Sequence, residues 1–303
     1  MFEKEFFLPL EHNLAAAEEI VGPSLSFWQD VWRRFRKNRL ATSGFFVLCL
    51  LALFAITGPL ISPYPYYETH LEMKNHPPSK EFWFGTDDLG RDLYARTACG
   101  AQISLFVGIS AASIDLVIGV LWGGFAALRG GKIDNIMMRI ADIFYAIPNL
   151  LMVIMLMVVI GSGLIPILIA LTITGWIAMA RIVRGQLMQL KEQEYIQAAI
   201  ALGASRRRIL FKHLIPNAMG PIIVTMTLTI PLAIFTEAFL SFLGLGVQAP
   251  IASWGTMASD ALPAMRYYPW RLFFPAIFIS VSMLAFNLVG DGLRDAIDPK
   301  LRK

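Results

Sequence analysis

IFYAIPNLLMVIMLMVVIGSGLIPILIALTITGWIAMA, residues 143–180, contains no Asp, Glu, Lys or Arg. A helix crosses a bilayer core about 30 Å thick with roughly 20 apolar residues. These 38 uncharged residues are too many for one span. Gly161-Ser-Gly163 and Pro166 interrupt the run, so it predicts a hairpin of two helices, 143–160 and 165–183.

The flanking sequence repeats the pattern. Residues 41–61 carry no charge, 103–128 carry one acid, Asp115, 217–240 carry Glu237 near the far end, and 272–290 form a last apolar run. Six spans predict an all-α polytopic membrane protein with little room for a soluble domain. Composition agrees. The chain is 56% hydrophobic and 16% charged with a mean hydropathy of +0.58, against about 25% charged residues in soluble domains.

Orientation follows from Lys and Arg, which are retained in cytoplasmic loops near spans. With the N-terminus inside, the inner segments hold 20 of the 26 basic residues, including the seven between Arg181 and Lys212. The outer loops keep Lys74, Lys80, Arg91, Arg96, Arg266 and Arg271. Both termini are expected in the cytoplasm. The segments between spans are then 1–40 inside, 62–102 outside, 129–142 inside, 184–216 inside, 241–271 outside and 291–303 inside. The net charge of +4 is spread along inner loops and calls for no nucleic acid.

Residues 1–25 are acidic and mixed, with no cleavable signal peptide expected, so the first span stays as an anchor. Ser26-Phe-Trp-Gln29 has the form of a capping box. Phe27, Trp28, Val31, Trp32 and Phe35 share one helical face opposite Arg33, Arg34, Arg36 and Lys37. Residues 26–39 therefore read as an interfacial amphipathic helix, the alternative being a continuation of the first span.

Chemistry is sparse. No His-Glu-x-x-His pattern or phosphate-cradling Walker loop is present, and the two cysteines, Cys49 and Cys99, have no disulfide or zinc spacing. Cys49 reads as a packing residue. No catalytic residue and no metal site is expected, and nucleotide hydrolysis would have to come from another chain. Ionisable groups inside the membrane are costly, so Asp115, Glu237 and, with them, Asn287 are candidates either for lining a permeation path or for structural hydrogen bonds between helices. Gly119-x-x-x-Gly123 puts small residues on one face of the second span, where another backbone can approach. Asp87, Asp88 and Asp92 lie in an outer loop without calcium-loop spacing and read as a capped turn or a contact for an incoming protein.

The charged interruption Glu194-Tyr-Ile-Gln-Ala-Ala-Ile-Ala-Leu-Gly203-Ala-Ser-Arg-Arg-Arg-Ile-Leu-Phe-Lys-His-Leu-Ile-Pro216 reads as helix, glycine, helix. Gly203 suits a left-handed C-cap, Ser205 can cap the next helix, and Pro216 marks entry into the fifth span. A solvated hairpin and a docking site both fit that geometry. The segment resembles the cytoplasmic loop of ATP-binding-cassette (ABC) importer permeases, whose motif is Glu-Ala-Ala, three residues, Gly, nine residues, Ile-x-Leu-Pro. Ala198, Ala199, Gly203 and Pro216 keep the spacing, while Gln197 stands for Glu, His213 for Ile and Ile215 for Leu. Glu194 is the nearby acid that remains.

Further segments resemble the peptide and nickel branch of that family: Phe84-Gly-Thr-Asp-Asp-Leu-Gly-Arg-Asp92, Gly130-Gly-Lys-Ile-Asp134, Ser241-Phe-Leu-Gly-Leu-Gly246, Trp254-Gly255 and Gly290-Asp-Gly-Leu-Arg-Asp-Ala-Ile-Asp-Pro299. Ser26-Phe-Trp-Gln-Asp30 and Met179-Ala-Arg-Ile-Val-Arg-Gly-Gln186 are most similar to the second, C-type permease subunits of oligopeptide importers. The likeness covers about residues 26–303.

The resemblance implies a type I importer permease arrangement with a core at 100–303 and a cytoplasmic coupling loop. ATPase docking would fall to Glu194, Tyr195, Gln197, Ala198, Ala199, Gly203, Ala204, Arg206 and Pro216. The implied partners are a second homologous permease, two ATPases carrying ATP and Mg, a solute-binding protein outside and a peptide, all at a bacterial inner membrane, with no cofactor on this chain. Importers of dipeptides, nickel, glutathione or another small solute are the alternatives, and an ion-coupled secondary carrier is a remote one.

Overall fold

The computed structural model describes residues 26–297; the expectations for 1–25 and for the end of the 291–303 tail lie outside them. Among the described residues the chain is helical, with a single isolated bridge between Thr86 and Asp92 in place of any strand.

Helix α1 (Phe27–Lys37) begins with a reciprocal cap. Gln29 N donates to Ser26 Oγ at 3.4 Å and Ser26 N donates to Gln29 Oε1 at 3.0 Å. Helix α2 (Arg39–Ile61) is separate from it, because Asn38 is extended and its Oδ1 accepts from the N–H groups of Leu40 and Ala41. Val31 and Phe35 are buried in a cluster with Val289, Ala296 and Ile297, whereas Trp28 and Trp32 face outward and Arg36 lies over the Trp32 ring. Cys49 is exposed on α2, on the side turned away from the bundle. It is not a packing residue within this chain.

Helix α3 (Leu93–Arg129) starts ten residues before the expected second span. At 37 residues it is about 55 Å long, well beyond the bilayer core. Arg96 lies outside the apolar window 103–128 yet inside the helix, since charge limits the membrane and caps limit helices. The cap is Asp92, which accepts from the N–H groups of Tyr94 and Ala95 at 3.1 Å.

The third span departs most from the sequence reading. In place of one helix over 143–160 there are α4 (Gly131–Ala146) and α5 (Asn149–Ile160), bent by 79°. Pro148 has no N–H to give and forces Ile147 into extended backbone, so the helix breaks there. With 12 residues, α5 reaches only about 18 Å. Arg184 grips Asp134 at 2.5 and 2.6 Å and Arg181 reaches Asp142 at 2.8 Å, which ties α4 to helix α6 (Leu164–Lys191).

Helices α3 and α6 form the central pair. A side chain added at Gly119 would lie 2.6 Å from Met179 Cβ, and one at Gly123 would lie 2.3 Å from the Ala180 carbonyl oxygen. Both glycines therefore permit backbone contact. Helix α7 (Glu194–Ala201) follows, and then helix α8 (Ile215–Phe242), which continues without a break from the turn Arg206–Arg208 through a π turn Ile209–Leu214. Pro216 thus sits inside a helix that is already continuous from Arg206. The wide turn just before it accommodates a ring that a regular helix excludes.

Helix α9 (Trp254–Ala261) inserts the fully buried Trp254, whose Nε1 donates to the Thr97 carbonyl at 3.0 Å, and α10 (Trp270–Ile297) closes the bundle. Among the described residues five helices are long and apolar enough to cross a membrane, or six if α4 and α5 count as one broken span.

Candidate functional site

The segment 192–216 leaves the bundle at the end of α6 and returns along α8. Helix α7 buries one residue against the bundle: Ile196 is 0% exposed, in a cluster with Leu187, Ile209, Leu210 and Leu214. The rest of α7 projects. Glu194, Tyr195, Gln197 and Ala198 are exposed, and Ala199 is half-buried.

Gly203 decides the shape of the tip. Its φ of +80° is left-handed, the Gly203 N–H reaches the Ile200 carbonyl at 2.9 Å, and the Ala204 N–H reaches the Ala199 carbonyl at 3.0 Å. This is the paired 6→1 and 5→2 closure that ends helices with glycine. Nothing lies within 4 Å of where a Gly203 side chain would begin, so conformation rather than space selects glycine within this chain. Ser205 then caps the returning helix, with its Oγ accepting from the Arg208 N–H at 3.3 Å. Arg206 is exposed beside Arg207 and Arg208.

The tip also presents exposed apolar side chains. Leu202 is 89% exposed, and Tyr195, Ile200 and Phe211 are open too. The motif at 197–203 is written in small residues and does not record Leu202 or Phe211. A run of apolar residues at the turn of a charged loop is the signal that could have found them. Gln197 Nε2 donates to the Lys191 carbonyl at 2.8 Å. Glu194, Tyr195, Gln197, Ala198, Ala199, Gly203, Ala204 and Arg206 therefore share one projecting element, with Pro216 displaced from it along α8.

Asp115, Glu237 and Asn287 are not brought together. Glu237 is 0% exposed and enclosed by hydroxyls, accepting from Ser241 Oγ at 2.7 Å and Ser104 Oγ at 3.1 Å. Asp115 is buried against α6, so close to Gly175 that a side chain there would overlap its carboxyl group. Asn287 faces outward from α10. In the outer loop Asp87 pairs with Arg91 and Asp92 caps α3.

Comparison with known proteins places this architecture. Residues 117–303 match the family model for the binding-protein-dependent transport system inner membrane component, and residues 26–78 match the N-terminal TM domain of oligopeptide transport permease C. The oligopeptide transport system permease protein OppC of Bacillus subtilis is 62% identical, with 99% of this chain and 98% of that protein covered. The dipeptide transport system permease protein DppC of the same organism is 56% identical over 99% and 94%, and OppC of Escherichia coli K12 is 44% identical over 96% of each. An inward-facing conformation of the MetNI methionine ABC transporter shares the fold, with a TM-score of 0.55 and 20% identity over 66% of this chain and 94% of that one. The chain belongs to the family of binding-protein-dependent transport system inner membrane components, and it is a membrane-embedded permease subunit of an ABC importer rather than an enzyme.

Proposed function

We propose that this chain forms half of the translocation pathway of an ATP-driven oligopeptide importer in a bacterial plasma membrane. The other half comes from a second, homologous permease. A solute-binding protein delivers the peptide outside, and two ATPases carrying ATP and Mg act inside. The observation that carries the reading is the tip of the 192–216 segment, where Leu202 is 89% exposed on a glycine-capped helix outside the span. Tyr195, Ile200 and Phe211 are exposed on the same segment, and apolar surface gathered in this way marks a protein contact.

The arrangement is of the type I importer kind, with six spans of which α4 and α5 make the third, and with both termini cytoplasmic, as the basic residues of the inner loops argue. Closure of the ATPases pushes on α7 and the start of α8. Because the helical stretch that begins at Arg206 continues unbroken through α8 to Phe242, that push reaches the far side of the membrane as a rigid-body movement.

Oligopeptides are the preferred cargo because the relatives at 62% and 44% identity carry that description. Dipeptides are the second reading, supported by the relative at 56%. Uptake of labelled dipeptides, tripeptides, pentapeptides and nickel in a strain lacking this chain, before and after its return, is the test. Restored uptake of tripeptides and pentapeptides supports the proposal, whereas unchanged peptide uptake on deletion overturns it.

A further inference from the structure

At the end of the bundle opposite the 192–216 segment, three guanidinium groups and three carboxylates interlock. Arg91 Nε donates to Asp87 Oδ2 at 2.6 Å. Arg271 donates to Asp88 Oδ1 at 3.1 Å, to Asn75 Oδ1 at 3.0 Å and to the Asp260 carbonyl at 3.0 Å. Both are well satisfied.

Arg96 is not. Its side chain is 4% exposed, yet Nε lies 3.4 Å from Asp87, Nη2 lies 3.9 Å from Asp260, and Nη1 has no hydrogen-bond partner among the described residues. A buried charged donor left unmet is costly unless a further acceptor arrives. Arg96 lines a cavity of about 340 Å³ between the outer loop and the segment after α8, shared with Asp88, Gln248, Thr256, Ser259 and Asp260. This is the size of a small-ligand pocket.

The character of the ligand follows from the charges. Three cations and three anions balance, so a bare anion at Arg96 would meet Asp260, whose side chain is 52% exposed. A group that carries a carboxylate and, one residue away, a hydrogen-bond donor satisfies both.

We propose that this cavity receives the carboxyl end of the transported peptide, with the Arg96 guanidinium taking the terminal carboxylate and Asp260 accepting from a peptide N–H. The inference rests on the peptide-importer reading. It adds a specificity-determining contact on the outer side, between release from the binding protein and entry among the spans.

The test uses the complete importer in proteoliposomes. A pentapeptide with a photoreactive benzoylphenylalanine next to its last residue is supplied as free acid and as C-terminal amide, each at a concentration that saturates the binding protein. The free acid should label residues 244–260 at least about fivefold more than the amide, and Arg96→Gln should abolish the difference. Asp260→Asn, a change at a half-exposed side chain, should reduce it, and the comparison of acid with amide on the wild type needs no variant to fold. Equal labelling by acid and amide, with both taken up, overturns the role of the cavity alone. Failure of the wild type to take up either peptide overturns the importer reading, and this proposal with it.

Discussion

Gln197 donates its side-chain amide to the carbonyl oxygen of Lys191 at 2.8 Å, bonding the start of α7 to the last turn of α6. Lys191 in turn donates Nζ to the Ala127 carbonyl at 2.9 Å, at the end of α3. The projecting helix is thereby linked to the central helix pair through two bonds that end on backbone. A glutamate at 197, the residue of the family motif, has no proton to give to the Lys191 carbonyl.

Gln197→Glu removes the donor and adds negative charge near the carbonyl end of α6, where it is unfavourable. For an exposed neutral bond the loss is about 0.5–1 kcal/mol. Amide hydrogens of residues 194–202 should exchange about twofold to fivefold faster, with the ATPases still copurifying. Unchanged exchange would show that the bond anchors nothing.

At Gly203 the conformation and the empty surroundings make separate predictions. The φ of +80° disfavours a β-branched residue by about 1–2 kcal/mol, whereas Asn tolerates the left-handed region. Gly203→Val should insert into the membrane normally yet lose most peptide uptake, and Gly203→Asn should retain most of it. If both variants fail equally, a partner's close approach rather than backbone conformation selects the glycine. Normal uptake by the valine variant would sink the docking assignment.

Leu202 makes the surface claim testable without disturbing the fold. Its side chain meets solvent, so Leu202→Glu should leave the thermal stability of the isolated subunit within about 0.5 kcal/mol. Loss of an anchor at the centre of an interface costs about 2 kcal/mol or more, so the ATPases should copurify at least about tenfold less. Retained copurification would show that the apolar tip is not the contact.

How far the sequence carried depends on which physical rule wrote each signal. Hydropathy writes where a membrane is, and the uncharged windows at 41–61 and 272–290 fall within α2 and α10. It does not write where a helix stops. Arg96 and Lys191 are charged and still helical, so α3 and α6 overrun their windows. Pro148 lies within an unbroken apolar run, so its bend was hidden by the very hydrophobicity that marked the span. At the candidate site, Gly203 was legible because a left-handed cap restricts residue type. Leu202 was not, since exposure of one leucine depends on what fails to cover it. The Arg96 cavity joins residues more than 140 positions apart, and no local pattern records that.

Gly123 tests the central pair. A methyl group there would stand 2.3 Å from the Ala180 carbonyl oxygen, which is backbone and cannot rotate away. Gly123→Ala should force α3 and α6 apart at a cost of about 1–3 kcal/mol, read as a lower midpoint in thermal unfolding in detergent. Gly124→Ala, whose new methyl would meet the flexible ends of Leu210 at 3.3 Å and Leu187 at 3.7 Å, should cost less. Equal effects at the two sites would place the close approach elsewhere.

Asp92 gives a pH dependence with a definite sign. It caps α3 and also accepts from Ser62 Oγ at 2.7 Å. Burial raises its carboxyl above the usual 3.8, against the hydrogen bonds from Ser62, Ala95 and Tyr94 that favour the charged form. The folded chain then holds this proton more readily than the unfolded chain. Stability gained at this residue therefore grows as pH falls through the folded-state value toward 3.8, and levels off below it. Asp92→Asn keeps an acceptor for the helix N–H groups and has no proton to exchange in this range, while Asp92→Ala loses the cap at about 1–2 kcal/mol. Thermal midpoints in detergent should accordingly shift in favour of the wild type over Asp92→Asn between neutral pH and about pH 4, with Asp92→Ala the least stable of the three at neutral pH. A difference between wild type and Asp92→Asn that stays constant with pH would mean that the Asp92 carboxyl titrates alike in the folded and unfolded chains, and that its hydrogen bonds fully offset burial.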